Sequence, residues 1–198
     1  NRTLYALLPS GSAPRTKLGE VSHKANPVQK FELPNGLRLL VKEDHRLPFV
    51  QFRAMFHGGV LSESEKNNGI TQLMSKLMVK GTSSRTGMQI AEQMESVGGH
   101  IDAYGGNNSF GVTAEILSAD FELGMEMVAD VTLNPSFPEM ALGRQRDVQI
   151  AAIKSQQDKL LHATFRLIRE KMFGSSGYGL DPLGTEKNLN GFSVTGLA

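Results

Sequence analysis

The sequence predicts an α+β domain, a mostly antiparallel sheet with helices packed on it, and three observations carry that prediction. The elements legible in the chain run β-β-α-α-β-β-α-α, the strands fall in pairs joined by short glycine-containing turns, and the helical stretches carry apolar residues on one face. A short turn joins antiparallel neighbours, because a parallel pair needs a crossover of a dozen or more residues.

Taken in order, residues 1 to 8 (N-R-T-L-Y-A-L-L) read as a short strand, and residues 9 to 30 are rich in Pro, Gly, Ser and Lys with little periodicity. Residues 1–30 are therefore expected to be the end of a preceding domain or a linker, and residues 31–198 a domain truncated at its C-terminal end. The chain starts without methionine and is read as a fragment. Phe31 to Leu33, the turn Pro34-Asn35-Gly36 and Leu37 to Lys42 form a hairpin signal, since Asn and Gly both tolerate positive φ. Leu47 to His57 alternates, with Val50, Phe52, Ala54 and Phe56 on one face. Gly58-Gly59 ends it and a polar loop follows.

From Asn68 to Thr82, Ile70, Leu73, Met74, Leu77 and Met78 form the apolar stripe of a helix, while Gln72, Ser75, Lys76 and Val79 share a neighbouring face where side chains converge. Thr86 and Gln89 fit a capping box for a helix to about Val97. His100 to Tyr104 and Asn108 to Leu117 read as strands around Gly105-Gly106. From Ser118 a helix carries Phe121, Met125, Val128 and Val131, and Asn134-Pro135 ends it. Ser136 and Glu139 offer a second capping box, with Pro138 in the first turn of a helical region reaching Phe173. A glycine-rich loop and a short final segment complete the chain.

Composition narrows the function. With 198 residues, 39% hydrophobic and 21% charged, the chain has material for one core. Lys plus Arg number 21 against 20 Asp plus Glu, which gives no electrostatic case for nucleic acid or an anionic membrane. The absence of cysteine excludes disulfides, thiolate metal sites and a cysteine nucleophile. No apolar run approaches the roughly 18 residues of a membrane span. The histidines at 23, 45, 57, 100 and 162 have no i, i+4 pairing, and Ser75, Ser83 and Ser84 have no histidine partner at a recognisable spacing. His100 and Asp102 share a strand face and read as a structural pair sooner than as a site. Met74, Met78, Met88, Met94, Met125 and Met127 read as core filler.

Five segments then combine: F-E-L-P-N-G-L-R-L-L-V-K from 31, G-G-V-L-S-E from 58, G-I-T-Q-L-M-S-K-L-M-V-K-G-T from 69, M-E-S-V-G-G-H-I-D-A-Y from 94 and G-Y-G-L-D-P-L-G-T from 177. In this order they resemble the insulinase/pitrilysin family of zinc peptidases, which includes the mitochondrial processing peptidase subunits. Active members carry H-x-x-E-H on the corresponding helix, two imidazoles for zinc and a glutamate as general base, and a later helix E-R-x-V-x-x-x-E supplies the third ligand. In the shared register those positions hold Gln72, Ser75 and Lys76, while Gln145 and Ala152 stand at the supporting and ligand positions of the later helix. An amide, an ammonium and a methyl do not hold divalent zinc, and Ser75 without a basic neighbour is a poor proton acceptor.

The resemblance implies a degenerate, non-catalytic domain with no cofactor of its own, which walls a chamber, binds unfolded peptide and supports a zinc-containing catalytic half in the same chain or a separate subunit. It also points to His100, Ile101, Asp102, Ala103, Tyr104, Gly105 and Gly106 as the strand that would pair with extended peptide; a capped edge strand is the alternative. Lys76 is expected near the vacated metal position with Asp102 as a possible acceptor. Two rival readings stand beside this one: a purely structural subunit like the core proteins of the respiratory bc complex, and a peptidase using other residues.

Overall fold

A computed structural model describes residues 27–197. The strand expected at residues 1 to 8 and the linker up to residue 26 lie outside the described residues. The chain divides into two compact units that meet between Leu47 and Pro48.

In the first unit, β1 (Gln29–Glu32) and β2 (Arg38–Val41) pair antiparallel from Gln29↔Val41 to Glu32↔Arg38. The Gly36 N–H donates to the Leu33 carbonyl at 2.9 Å, and the Asn35 side chain accepts from the Leu37 N–H at 3.1 Å. Pro34-Asn35-Gly36 thus closes the hairpin as the sequence predicts. Of the three turn residues only Gly36 takes positive φ.

The second unit is built on a three-stranded antiparallel sheet. Its elements in chain order are β3 (Phe49–His57), α1 (Ile70–Met78), α2 (Gly87–Ser96), β4 (His100–Gly105), β5 (Ser109–Leu117), α3 (Phe121–Leu133), α4 (Glu139–Gln157), α5 (Leu160–Phe173), α6 (Glu186–Gly191) and α7 (Val194–Leu197). The spatial order of the strands is β3-β5-β4, so β5 is central and β4 is an outer strand. Register places Phe52 and Ile101 beside Ala114, and Ala54 and Ala103 beside Val112. Residues directly opposite each other share a face of the sheet, so the alternation of all three strands collects on one side. On that side α1 packs chiefly against β4 and α3 against β5 and β3, while α4 lies against α1. Leu73, Leu77, Val112, Ile116, Met127, Val131 and Leu142 are fully buried in the resulting core.

Local signals hold where a single turn decides them. Thr86 and Gln89 form the expected reciprocal capping box at the start of α2. Four expectations are corrected. In α3 the buried positions are Gly124, Met127, Val128, Asp130 and Val131, while Phe121 and Met125 are exposed. A Cβ on Gly124 would lie 2.6 Å from the Phe52 ring, so the helix turns its glycine to the sheet, and Phe121 packs on the Phe52 ring from a position that leaves it partly exposed. Ser136 and Glu139 form no capping box, because α4 starts after Pro138 and the Ser136 N–H donates to the Gly81 carbonyl at 3.0 Å. The region to Phe173 is two helices, parted at Asp158-Lys159. Of the methionines assigned to the core, Met88 is also exposed, whereas Met78, Met94 and Met127 are buried.

Candidate functional site

The site is the face of α1 on which Gln72, Ser75 and Lys76 lie, and it is positioned from both ends of that helix. A helix N-terminus leaves backbone donors free and carries a partial positive charge. Glu63, from the polar loop ahead of α1, supplies the acceptors: its carboxylate takes the Gly69 N–H at 2.8 Å, the Thr71 N–H at 2.9 Å and the Asn68 amide at 2.9 Å. Glu63 and Asn68 are both buried.

Gln149 of α4 is buried too, and its amide donates to the carbonyls of Gly69 at 3.1 Å and Leu183 at 2.8 Å. It ties α4, the start of α1 and the D-P-L-G-T segment at 181–185 together. Gly184, at φ +76°, lets that segment approach; a Cβ there would sit 2.3 Å from the Asn68 carbonyl oxygen. The sequence reading missed Glu63, Gln149 and the role of Gly184. A signal for Gln149 existed, since it lies four residues after Gln145 and three before Ala152, on their face of α4.

The C-terminal end of α1 leads into Gly81-Thr82, which is anchored on Asp130 of α3. The Asp130 carboxylate accepts from Arg85 Nη1 at 2.7 Å, Thr82 Oγ1 at 2.8 Å, Ser84 Oγ at 3.0 Å and the Asn134 amide at 3.1 Å. Burial pushes its pKa up, but the donors from Thr82, Arg85, Asn134 and Ser84 outweigh it and hold the group at about 2. Arg85 also pairs with Glu126.

Between these anchors the side chains of the α1 face are engaged with other protein groups. Ser75 is fully buried, and its hydroxyl donates to the Thr71 carbonyl at 2.5 Å. Gly105 of β4 packs onto the same face: a Cβ on it would lie 3.0 Å from the Gln72 amide oxygen and 3.1 Å from Ser75 Oγ. Lys76 reaches Asp102, its Nζ lying 3.1 Å and 3.2 Å from the two carboxylate oxygens, with the side chains 38% and 49% exposed. Burial raises the Asp102 pKa, yet the Ala103 N–H, the hydrogen bond and charge of Lys76 and the charge of His100 together bring it below the usual value. The structure therefore joins Gln72, Ser75, Lys76, Asp102 and Gly105. His100 is exposed, and the partner of Asp102 is Lys76.

Gln145 and Ala152 are half-buried on α4, with Gln149 on their face reaching the first turn of α1. The donor set does not fit zinc: Gln72 offers a carboxamide, Ser75 has committed its proton to a backbone carbonyl, Lys76 is paired with Asp102, and Ala152 has no donor. Among the described residues no group of three or more His, Asp or Glu side chains is placed to hold a metal ion. A separate cleft of about 390 Å³ beside Asn68 is lined by Glu65, His162, Arg166, Glu170 and Asp181, of mixed charge.

Comparison with known proteins agrees with this architecture. The profile of the insulinase family, peptidase family M16, matches residues 38–186. The chain is 29% identical over 139 residues to a probable mitochondrial-processing peptidase subunit beta of Arabidopsis thaliana, an alignment covering 67% of this chain and 26% of that protein. It is 27% identical over 170 residues to cytochrome b-c1 complex subunit 1 of Bos taurus, covering 86% and 35%. The crystal structure of a peptidase M16 inactive domain from Pseudomonas fluorescens superposes with a TM-score of 0.81 at 20% identity, covering 86% of this chain and 42% of that one. The chain thus spans less than half the length of these relatives. A match over residues 38–186, together with this fold, makes the chain a member of the insulinase family, peptidase family M16.

Proposed function

We propose that this chain is a non-catalytic domain of a family M16 protein, which forms part of a chamber wall, supports a zinc-containing catalytic half and offers the β4 edge to unfolded peptide. The observation that carries the reading is the state of the α1 face: Ser75 and Lys76 are bonded to other protein groups, and with Gln72 they stand where the resemblance would place the ligands and base. Without a metal ligand or a general base, this face lacks the means to activate water for peptide hydrolysis. The similarity to a processing-peptidase subunit and to a domain described as inactive supports the same reading. In this view residues 1–30 are the end of a preceding domain or a linker between halves, and the catalytic half is fused or a separate subunit.

A second reading, a structural subunit with no peptide affinity, is favoured by the similarity to cytochrome b-c1 complex subunit 1. Three measurements on the purified chain separate the alternatives: zinc content, hydrolysis of an extended, unstructured peptide, and binding of that peptide. The proposal expects saturable binding with neither stoichiometric zinc nor cleavage. Stoichiometric zinc accompanied by cleavage overturns it, and absence of peptide binding leaves the structural reading.

A further inference from the structure

The β4 strand has an outer edge that no other strand covers among the described residues. Its ladder with β5 fixes which backbone groups face outward. The Gly106 N–H donates to the Ser109 carbonyl at 2.8 Å, so this is a hydrogen-bonded pair. Such pairs alternate along an antiparallel ladder, which makes Tyr104↔Gly111 and Asp102↔Thr113 the next two. The N–H and C=O groups of Ile101, Ala103 and Gly105 therefore point away from β5. These are the groups that an added strand would use.

Lys76 lies across that path. Ala103 is buried on the face of the sheet that packs under α1, and alternation turns its neighbour Asp102 to the opposite face. Lys76 projects from α1 on the first face and meets Asp102 at 3.1 Å, so its side chain passes round the edge of β4 beside Ala103. The Ala103 N–H, one of the outward donors, also acts on the Asp102 carboxylate. The pair is partly exposed on both sides, which makes it easy to open.

We propose that the Lys76–Asp102 pair is a removable clasp over the β4 edge: closed, it occupies the path of an extended peptide, and open, it exposes the outward groups of Ile101 and Ala103 for strand addition. This inference rests on the reading of β4 as the peptide-binding edge and names what regulates it. Charged side chains at an exposed edge are also a device against unwanted strand pairing. The ligand is an extended peptide recognised through its backbone, and no particular sequence is required.

The test uses a fluorescently labelled, uncharged, unstructured peptide and the full 198-residue chain. Affinity is measured for the wild type, Lys76→Met, which keeps most of the aliphatic stem, and Lys76→Arg, which keeps the charge. Loss of a partly exposed ion pair corresponds to a change of up to about fivefold in an equilibrium. Lys76→Met is therefore expected to bind more tightly than the wild type, by up to about fivefold, and independently of salt. Wild type and Lys76→Arg should bind more weakly at low salt and tighten as salt screens the pair. Equal affinity of wild type and Lys76→Met, both binding, overturns the clasp and leaves the edge reading intact. No binding by any of the three at any salt concentration overturns the edge reading and the clasp with it. Melting temperatures and circular dichroism of the variants show whether each is folded as the wild type is.

Discussion

At its first turn α1 is received by the buried Glu63 carboxylate and the Gln149 amide, and beyond its last turn Thr82, Ser84 and Arg85 converge on the buried Asp130. The face between them is held differently, by a close glycine contact, by the bond of the buried Ser75 to the Thr71 carbonyl of its own helix, and by an ion pair whose side chains are 38% and 49% exposed. Buried polar groups cost about 1–3 kcal/mol each when left unsatisfied, whereas a partly exposed ion pair contributes about 0–1 kcal/mol. The comparison teaches that the demands of the fold are concentrated at the ends of the helix. On the proposed reading, positions 72 and 76 can therefore differ from a metal-binding set while the scaffold persists.

The strongest attempt to break this comparison is Glu63→Ala, which strands three buried donors. Loss of about 3 kcal/mol in urea unfolding is expected, and a loss smaller than that of Lys76→Met would refute the contrast between ends and face. Gly184→Ala tests the same end through sterics. Its Cβ would meet the Asn68 carbonyl oxygen at 2.3 Å in a left-handed backbone, and a cost of about 2–3 kcal/mol is expected in the same assay.

The other end is tested by acid. The Asp130 pKa is depressed to about 2, so its contribution is fully present above the pKa of an unfolded aspartate, near 4, and is lost as pH falls through about 2. Thermal melts between pH 5 and pH 2 should show about 2 kcal/mol of stability disappearing in that window, and Asp130→Asn should lack that part of the slope. The smallest effect belongs to the face itself. Lys76→Met should change stability by less than about 1 kcal/mol in urea unfolding, while altering peptide affinity as described above.

Much of the fold was legible because it is written in local periodicities. The alternation of Val50, Phe52, Ala54 and Phe56 marked the half-buried face of β3, and the Thr86–Gln89 box marked the start of α2 to the residue. The apolar stripe of α1 and the nearness of Lys76 to Asp102 were also readable. Glu63 was not, since a glutamate in a polar loop looks solvated until the donors of Gly69 and Thr71 are seen around it. Gln149 had only its place on the Gln145 and Ala152 face of α4 to mark it, because its acceptors are backbone carbonyls, which every residue possesses. Ser136 and Glu139 matched a capping pattern, but the bridge between Thr82 and Pro135 captures the chain there first. The break at Asp158-Lys159 carries neither proline nor glycine.

The two bonds of Gln149 also bear on the order in which the molecule is made. One acceptor lies 80 residues earlier in the chain and the other 34 residues later. The Glu63 contacts with Asn68, Gly69 and Thr71 span at most 8 residues and close a small loop. During synthesis the local part of this network is complete before α4 exists, but the Leu183 contact waits until the D-P-L-G-T segment has emerged. Contacts of high sequence separation are the slow ones in folding, so the first turn of α1 is begun early and finished late.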